Sequence, residues 1–218
     1  MAGYFRQMLT ERRQRPRDAL LSALTAAEEQ GETLSEEEMV ATCMLLLVAG
    51  NETTGKLLGN GMLALLRHPD QIQRLRDDPS LIPTAVEELL RYDGPAQLTG
   101  RVATEDLELN GKKIRTGQLV VPVMAAANRD PAVFDDPDRL DVGRRPNPHL
   151  AFGDGIHFCL GAPLARAEVG IAMAAMLRNL PNLRLATDRL DWGSSFILRG
   201  LSSLPATFDP RPRSRPLL

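Results

Sequence analysis

Phe152-Gly153-Asp154-Gly155-Ile156-His157-Phe158-Cys159-Leu160-Gly161 puts one cysteine at the end of a glycine-rich loop, directly before a long helical pattern. The positive end of a helix favours the thiolate, which is the form that binds metal. Gly153 and Gly155 allow the backbone to take positive φ and to approach a bulky flat ligand. Gly161, just past the sulfur, removes the side chain that would collide with such a ligand. Taken alone, the loop also fits a buried free cysteine after a glycine turn, the usual setting of a lone Cys.

The pattern after the loop reads as a helix from Cys159 to about Asn179, stopped by Pro181. Before the loop, Asn128 to Asn147 is rich in Pro, Asp and Arg and reads as an ordered meander without regular structure. Further upstream, Arg101 to Val123 has short β-like runs, with Asn110-Gly111 between Leu107-Glu108-Leu109 and Lys112-Lys113-Ile114, a strong hairpin signal. Ile82 to Tyr92 and Pro69 to Arg76 have helical spacing. Ser35 followed by Glu38 is a capping-box start. From there one helical pattern runs to about Arg67, where His68-Pro69 stops it. Its first half, MVATCMLLLVAG, is apolar on every side and is expected to be core. Arg17 to Gln30 is a shorter helical pattern ended by Gly31, and Arg211 to Leu218 is expected to fray.

Composition narrows the class. The 218 residues are 43% hydrophobic and 25% charged, normal for a globular domain, and the net charge of -2 gives no bulk basicity for nucleic acid. Cys43 and Cys159 cannot build a disulfide framework, so a reducing, cytoplasmic setting is expected. The longest apolar run, Met39 to Gly50, is shorter than the roughly 20 residues a bilayer span needs, and no membrane partner is expected. A zinc site needs about four ligands, and the two cysteines with His68, His149 and His157 form no recognisable set.

Three more stretches carry chemistry. In Ala49-Gly50-Asn51-Glu52-Thr53-Thr54 a glycine, a carboxylate and two hydroxyls interrupt the middle of an apolar helix. Such a glycine costs about 1 kcal/mol relative to Ala, a buried carboxylate must be paired or useful, and the threonines can bend the helix. A packing notch of small residues with an exposed Glu is the plainer reading. Glu88 and Arg91 share one helix face at i and i+3, as many surface pairs do. Arg101 enters the β region ten residues after Arg91, where an exposed strand arginine would also fit.

With Phe152 seven residues before the cysteine and His157 two before it, the loop resembles the haem-thiolate loop of the cytochrome P-450 superfamily. The other stretches follow in that family's order. The runs Gly155 to Arg166 and Ala127 to Pro131 are similar to soluble bacterial members. The resemblance implies haem b (iron protoporphyrin IX) with Cys159 as the iron's axial ligand. Phe152 and Gly153 would shape the loop, the N–H groups of Leu160 and Gly161 would face the sulfur, and His157 and Arg101 would bind haem propionates. Ala49 and Gly50 would let the long helix pass close to the porphyrin, with Thr53 and Glu52 delivering protons to dioxygen. It also implies that Glu88 and Arg91 join a meander arginine, Arg144 or its neighbour Arg145, in a structural ion-pair set. Ala96-Gln97-Leu98-Thr99 would border an apolar substrate pocket.

The implied fold class is mainly α with minor antiparallel β, the C-terminal portion of that family's fold, with residues 1–218 as a single partial domain. The implied activity is monooxygenation: hydroxylation or epoxidation of a small, secondary-metabolite-like substrate. Electrons would come from NAD(P)H through a ferredoxin and ferredoxin reductase or a flavoprotein, which Arg166 and its neighbours near Cys159 would attract. The resemblance covers nearly the whole chain but only the second half of the family's usual length. The chain is therefore expected to be truncated, with activity dependent on a missing segment. The alternatives are a non-catalytic haem-binding or structural remnant that needs a partner fragment, and a helical interaction module without cofactor.

Overall fold

A computed structural model describes residues 1–29 and 34–209, so Gln30, Gly31 and the segment 211–218 lie outside the described residues. The fold is mainly helical: α1 (Ala2–Gln14), α2 (Leu20–Glu29), α3 (Glu36–Arg67), α4 (Pro69–Asp77), α5 (Ile82–Asp93), α6 (Met124–Ala127) and α7 (Ala162–Asn179). The strands are short: β1 (Arg101–Val102), β2 (Leu107–Leu109), β3 (Lys112–Ile114), β4 (Leu119–Val120), β5 (Arg184–Leu185) and β6 (Ala206–Thr207). They pair antiparallel as β1 with β4, β2 with β3 and β5 with β6. Two compact units emerge, Met1–Glu52 and Thr53–Leu218, with α3 contributing to both.

In the first unit, the capping box starts α3. Ser35 Oγ and N–H both donate to Glu38 at 2.8 Å, and the Glu38 N–H donates back to Ser35 Oγ at 3.3 Å. Met39, Val40 and Cys43, spaced at i, i+1 and i+4, pack with Phe5 and Leu9 of α1 into a small core. The continuation of this apolar stretch is not core: Leu45, Leu46, Leu47, Val48, Ala49 and Gly50 are all exposed. An all-round apolar helix needs neighbours on every side. Within this unit α1 and α2 cover only the face that carries Met39 and Cys43.

The second unit holds the larger core. Leu57 and Leu65 from the later turns of α3, Leu75 of α4, Val86 and Leu89 of α5, and Val169 and Met173 of α7 meet there with Leu140 and Val142. Each such side chain contributes roughly 1.5–3 kcal/mol relative to exposure. α7 packs closely on α5 at Gly170, where a Cβ would stand in ordinary van der Waals contact with Ile82 at 3.6 Å and Val86 at 3.9 Å. Pro69 is at the first turn of α4, where its missing N–H costs nothing. The Asn110-Gly111 turn joins β2 to β3 with φ of 48° and 75°, the left-handed pair that matches strand twist.

Two helix starts differ from the sequence reading. The first is α2, which begins at Leu20 instead of Arg17. The last long helix begins at Ala162, not at Cys159, with Gly161 as its N-cap and Pro163 in its first turn. The Cys159 N–H is drawn back to the Phe152 carbonyl at 3.0 Å, which holds the cysteine in the loop instead of the helix.

Candidate functional site

The loop closes on itself before the helix starts. Gly153 and Gly155 have φ of 72° and 71°, a conformation that only glycine adopts without strain. They carry the chain into a short 3-10 turn, Gly155–His157, that ends at Phe158. Cys159 follows and its thiol is exposed, two residues before the N-cap of α7. The residues beside it are apolar and turned outward: Ile156 is 98% exposed and Leu160 88%. A Cβ on Gly161 would stand 3.9 Å from the sulfur, so the glycine keeps that flank open. Phe152 lies beneath this shelf, its ring edge-on to Phe158 at 6.2 Å and its carbonyl bonded to the Cys159 N–H.

Arg101 is in β1, exposed, with Nη1 donating to Thr99 Oγ1 at 3.0 Å and to the Gly100 carbonyl at 2.8 Å. Among the described residues no carboxylate pairs with it. His157 is likewise exposed at the end of the 3-10 turn. Ala96 and Gln97 are tied to the chain end, Ala96 in a bridge with Leu198 and the Gln97 N–H donating to the Ile197 carbonyl at 2.9 Å. Ala49, Gly50 and Glu52 belong to the first unit and are exposed, and Thr53, half-buried, belongs to the second. Glu52 is exposed, as in the plainer reading of this stretch, and the neighbouring Thr53 and Thr54 are half-buried.

The haem that the resemblance implies is a flat apolar disc with a metal at its centre and carboxylates at its rim. The loop residues fit such a group. An exposed thiol stands among outward-facing aliphatic side chains, glycines leave the approach clear, and uncommitted donors exist at Arg101 and His157.

Behind the loop, the meander is clamped by a buried ion set. Glu88 and Arg91 have no exposed side-chain surface and meet through two bonds, Nε to Oε2 at 2.7 Å and Nη2 to Oε1 at 2.8 Å. Arg144, 11% exposed, donates Nε to the same carboxylate at 3.1 Å, whereas Arg145 is exposed. The remaining donors are used on meander carbonyls: Arg91 reaches Asn128, Pro137 and Arg139, and Arg144 reaches Asp135, Asp136 and Arg139. Full hydrogen bonding of this kind is what makes buried charge tolerable.

Sequence reasoning missed a second cluster. Arg166 is not a free surface cation: Nε and Nη2 grip Glu87 at 2.7 and 2.9 Å, and its guanidinium lies 4.7 Å over the Phe152 ring. His149 Nε2 also meets Glu87, at 3.0 Å. The Ala151 N–H donates to His149 Nδ1, so the ring proton is on Nε2 and points at the carboxylate. Burial alone would raise the Glu87 pKa, but the hydrogen bonds from His149 and Arg166 outweigh it and hold the carboxyl down to about 2. The hydrogen bond to Glu87 in turn raises Arg166 above its ordinary value, with a smaller push from Cys159. The visible signal was the doubled acid Glu87-Glu88 on a half-buried helix, since one face cannot use both.

Among the described residues no helix is long and apolar enough to cross a membrane. The profile of the family described as Cytochrome P450 matches residues 4–184. Cytochrome P450 CYP107DY1 from Priestia megaterium is 51% identical over 207 residues, covering 94% of this chain and 50% of that protein. A vitamin D(3) 25-hydroxylase from Pseudonocardia autotrophica is 49% identical over 213 residues, 96% of this chain and 53% of its own. The crystal structure of P450BioI in complex with hexadec-9Z-enoic acid ligated acyl carrier protein superposes with a TM-score of 0.91 at 46% identity, over 95% of this chain and 53% of that one. The chain thus spans about half the length of the curated relatives it matches.

Proposed function

We propose that this chain, which belongs to the cytochrome P450 family, binds haem b through Cys159 and serves as a haem-dependent monooxygenase of small apolar substrates. The observation that carries the reading is the exposed thiol of Cys159 among outward-facing apolar side chains at the mouth of a glycine-shaped loop. When bound there, haem supplies dioxygen activation and transfer of one oxygen atom to a C–H or C=C bond.

The chain's own residues divide the remaining work. The Cys159 thiolate would ligate the iron and lend it electron density, with Phe152 packing against the sulfur and excluding water once the ligand covers it. Arg101 and His157 would hold the acid groups at the rim of the haem. Ala49 and Gly50 leave room for the flat ligand on the long helix, the Thr53 hydroxyl orients a proton donor, and the Glu52 carboxylate exchanges that proton with solvent. Ala96 to Thr99 line the apolar substrate. Reducing equivalents come from NAD(P)H through a ferredoxin and its reductase or a flavoprotein, in a cytoplasmic setting. An apolar, secondary-metabolite-like substrate agrees with relatives named for vitamin D(3) and for a hexadec-9Z-enoic acid ligated carrier protein.

The alternative is a haem-binding remnant without turnover. The test is reconstitution of the purified chain with hemin. A red-shifted Soret band of the reduced CO complex, lost in Cys159→Ser, is the expected result. A folded chain that stays colourless overturns the haem reading, and a thiolate-type band without product formation, given redox partners, selects the remnant.

A further inference from the structure

The Glu87 carboxylate is distinct from the buried Glu88 carboxylate, and the resemblance assigns Glu87 no role. Its geometry ties three pieces of chain to one carboxylate. Glu87 belongs to α5, Arg166 to α7, and His149 to the strand of meander that enters the sulfur loop. Both of its partners act on the loop. His149 accepts the Ala151 N–H at 3.2 Å, which sets the backbone just before Phe152. Arg166 lies flat over the Phe152 ring. Phe152 in turn supplies the carbonyl that holds the Cys159 N–H at 3.0 Å. The His149 side chain is 4% exposed and that of Glu87 29%. Arg166 is 38% exposed, so it is the forked geometry of its charged hydrogen bonds, and not burial, that constrains direction as well as distance.

We propose that Glu87 is a positioning residue for the Cys159 loop: by gripping His149 and Arg166 together it fixes Phe152, and through the Phe152 carbonyl it fixes the backbone of the sulfur-bearing residue. The inference deepens the haem-thiolate reading and rests on it for its purpose, but the geometry it predicts exists in the chain without haem. Replacing Glu87 by glutamine leaves one oxygen to serve three N–H donors from two residues. Arg166 then loses its fork, the guanidinium leaves the Phe152 face, and the Phe152–Cys159 bond opens more often. The Glu88 carboxylate itself takes no hydrogen bond from His149 or Arg166, and the two sets meet only where the His149 N–H donates to the Asn147 carbonyl at 2.9 Å.

Amide hydrogen exchange on the full chain tests this directly. In Glu87→Gln, protection of the Cys159 and Ala151 amides should fall about tenfold, the factor that matches one charged hydrogen bond of roughly 1.4 kcal/mol. Amides of the β2–β3 hairpin should exchange as before. Arg166→Lys, which keeps the charge but not the fork, should reproduce the loss at Cys159, and Glu87→Asp should restore part of it. In haem-loaded protein the same variants should convert part of the reduced CO band from the thiolate to the unshifted position. Unchanged protection at Cys159 in both Glu87→Gln and Arg166→Lys overturns the proposal. So does an equal loss across hairpin and loop, which would mean global destabilisation. Failure of the wild-type chain to bind hemin overturns the haem reading alone, and the exchange result still decides the positioning role.

Discussion

Replacing Glu88 by glutamine removes one charge and almost no volume, so the cost is electrostatic and not a cavity. The glutamine cannot accept from all four groups that now use the carboxylate: Arg91, Arg144, the Asp141 N–H and Asn147. Its amide nitrogen must also face a guanidinium. Arg91, with 0% side-chain exposure, keeps its charge with only the carbonyls of Asn128, Pro137 and Arg139 as partners. Breaking a buried pair in this way costs about 3–5 kcal/mol. Arg144→Gln leaves the Glu88–Arg91 pair intact and should cost less, about 1.5–3 kcal/mol for lost charged hydrogen bonds. Domains of this size are stable by roughly 5–15 kcal/mol, so Glu88→Gln takes a large share of the total. The single tryptophan, Trp192, belongs to the second unit and reports on it alone, which makes urea unfolding by fluorescence the appropriate assay. With m near 2 kcal/mol/M the midpoint should fall by roughly 2 M for Glu88→Gln. A double-mutant cycle of the two substitutions should show strong coupling. A loss below about 1 kcal/mol, the range of an exposed ion pair, would refute the claim that this set is dry and mutually dependent.

Glu87 gives a pH signature of its own. Its folded pKa of about 2 lies below the ordinary 4.5, so its stabilisation is present above pH 4.5 and is lost as pH falls toward 2. The shift corresponds to about 3 kcal/mol, reduced to roughly 1–2 kcal/mol by solvent at a side chain 29% exposed. The stability gap between wild type and Glu87→Gln should therefore close on acidification, and a gap independent of pH would contradict the assignment. Gly94→Ala should destabilise the second unit by about 1–3 kcal/mol or prevent folding, because the new Cβ would collide with the Leu90 carbonyl oxygen at the end of α5. Circular dichroism melting would show it. Leu45→Lys with Leu47→Lys should reduce aggregation without lowering the melting temperature, since both side chains are exposed. Light scattering at matched concentration would decide this, and a drop in melting temperature would mean that the face is covered.

Much of this chain was legible because its strongest signals are local. Ser35 and Glu38 meet across one turn, Pro69 ends a helix by its ring, and Asn110-Gly111 is a pair that tolerates the positive φ of a tight hairpin turn. The glycines around Cys159 are legible for the same reason, since positive φ at Gly153 and Gly155 is a property of those residues. The long helix was easy to place and hard to orient in burial. Met39 and Leu47 are equally apolar in sequence, yet one is fully buried and the other exposed, because burial depends on which neighbours the fold supplies.

The sequence by itself determined which elements form and which loop carries the thiol, since backbone conformation answers largely to a few adjacent residues, whereas the start of α7 waited on the Cys159–Phe152 bond. Only the tertiary structure decided which charges pair. Arg144 reaches Glu88 while Arg145 faces solvent, and Arg166 is committed to Glu87 across 79 positions. Pairing between distant side chains depends on helix packing and on desolvation at the point of contact, and neither is written in the spacing of the residues along the chain.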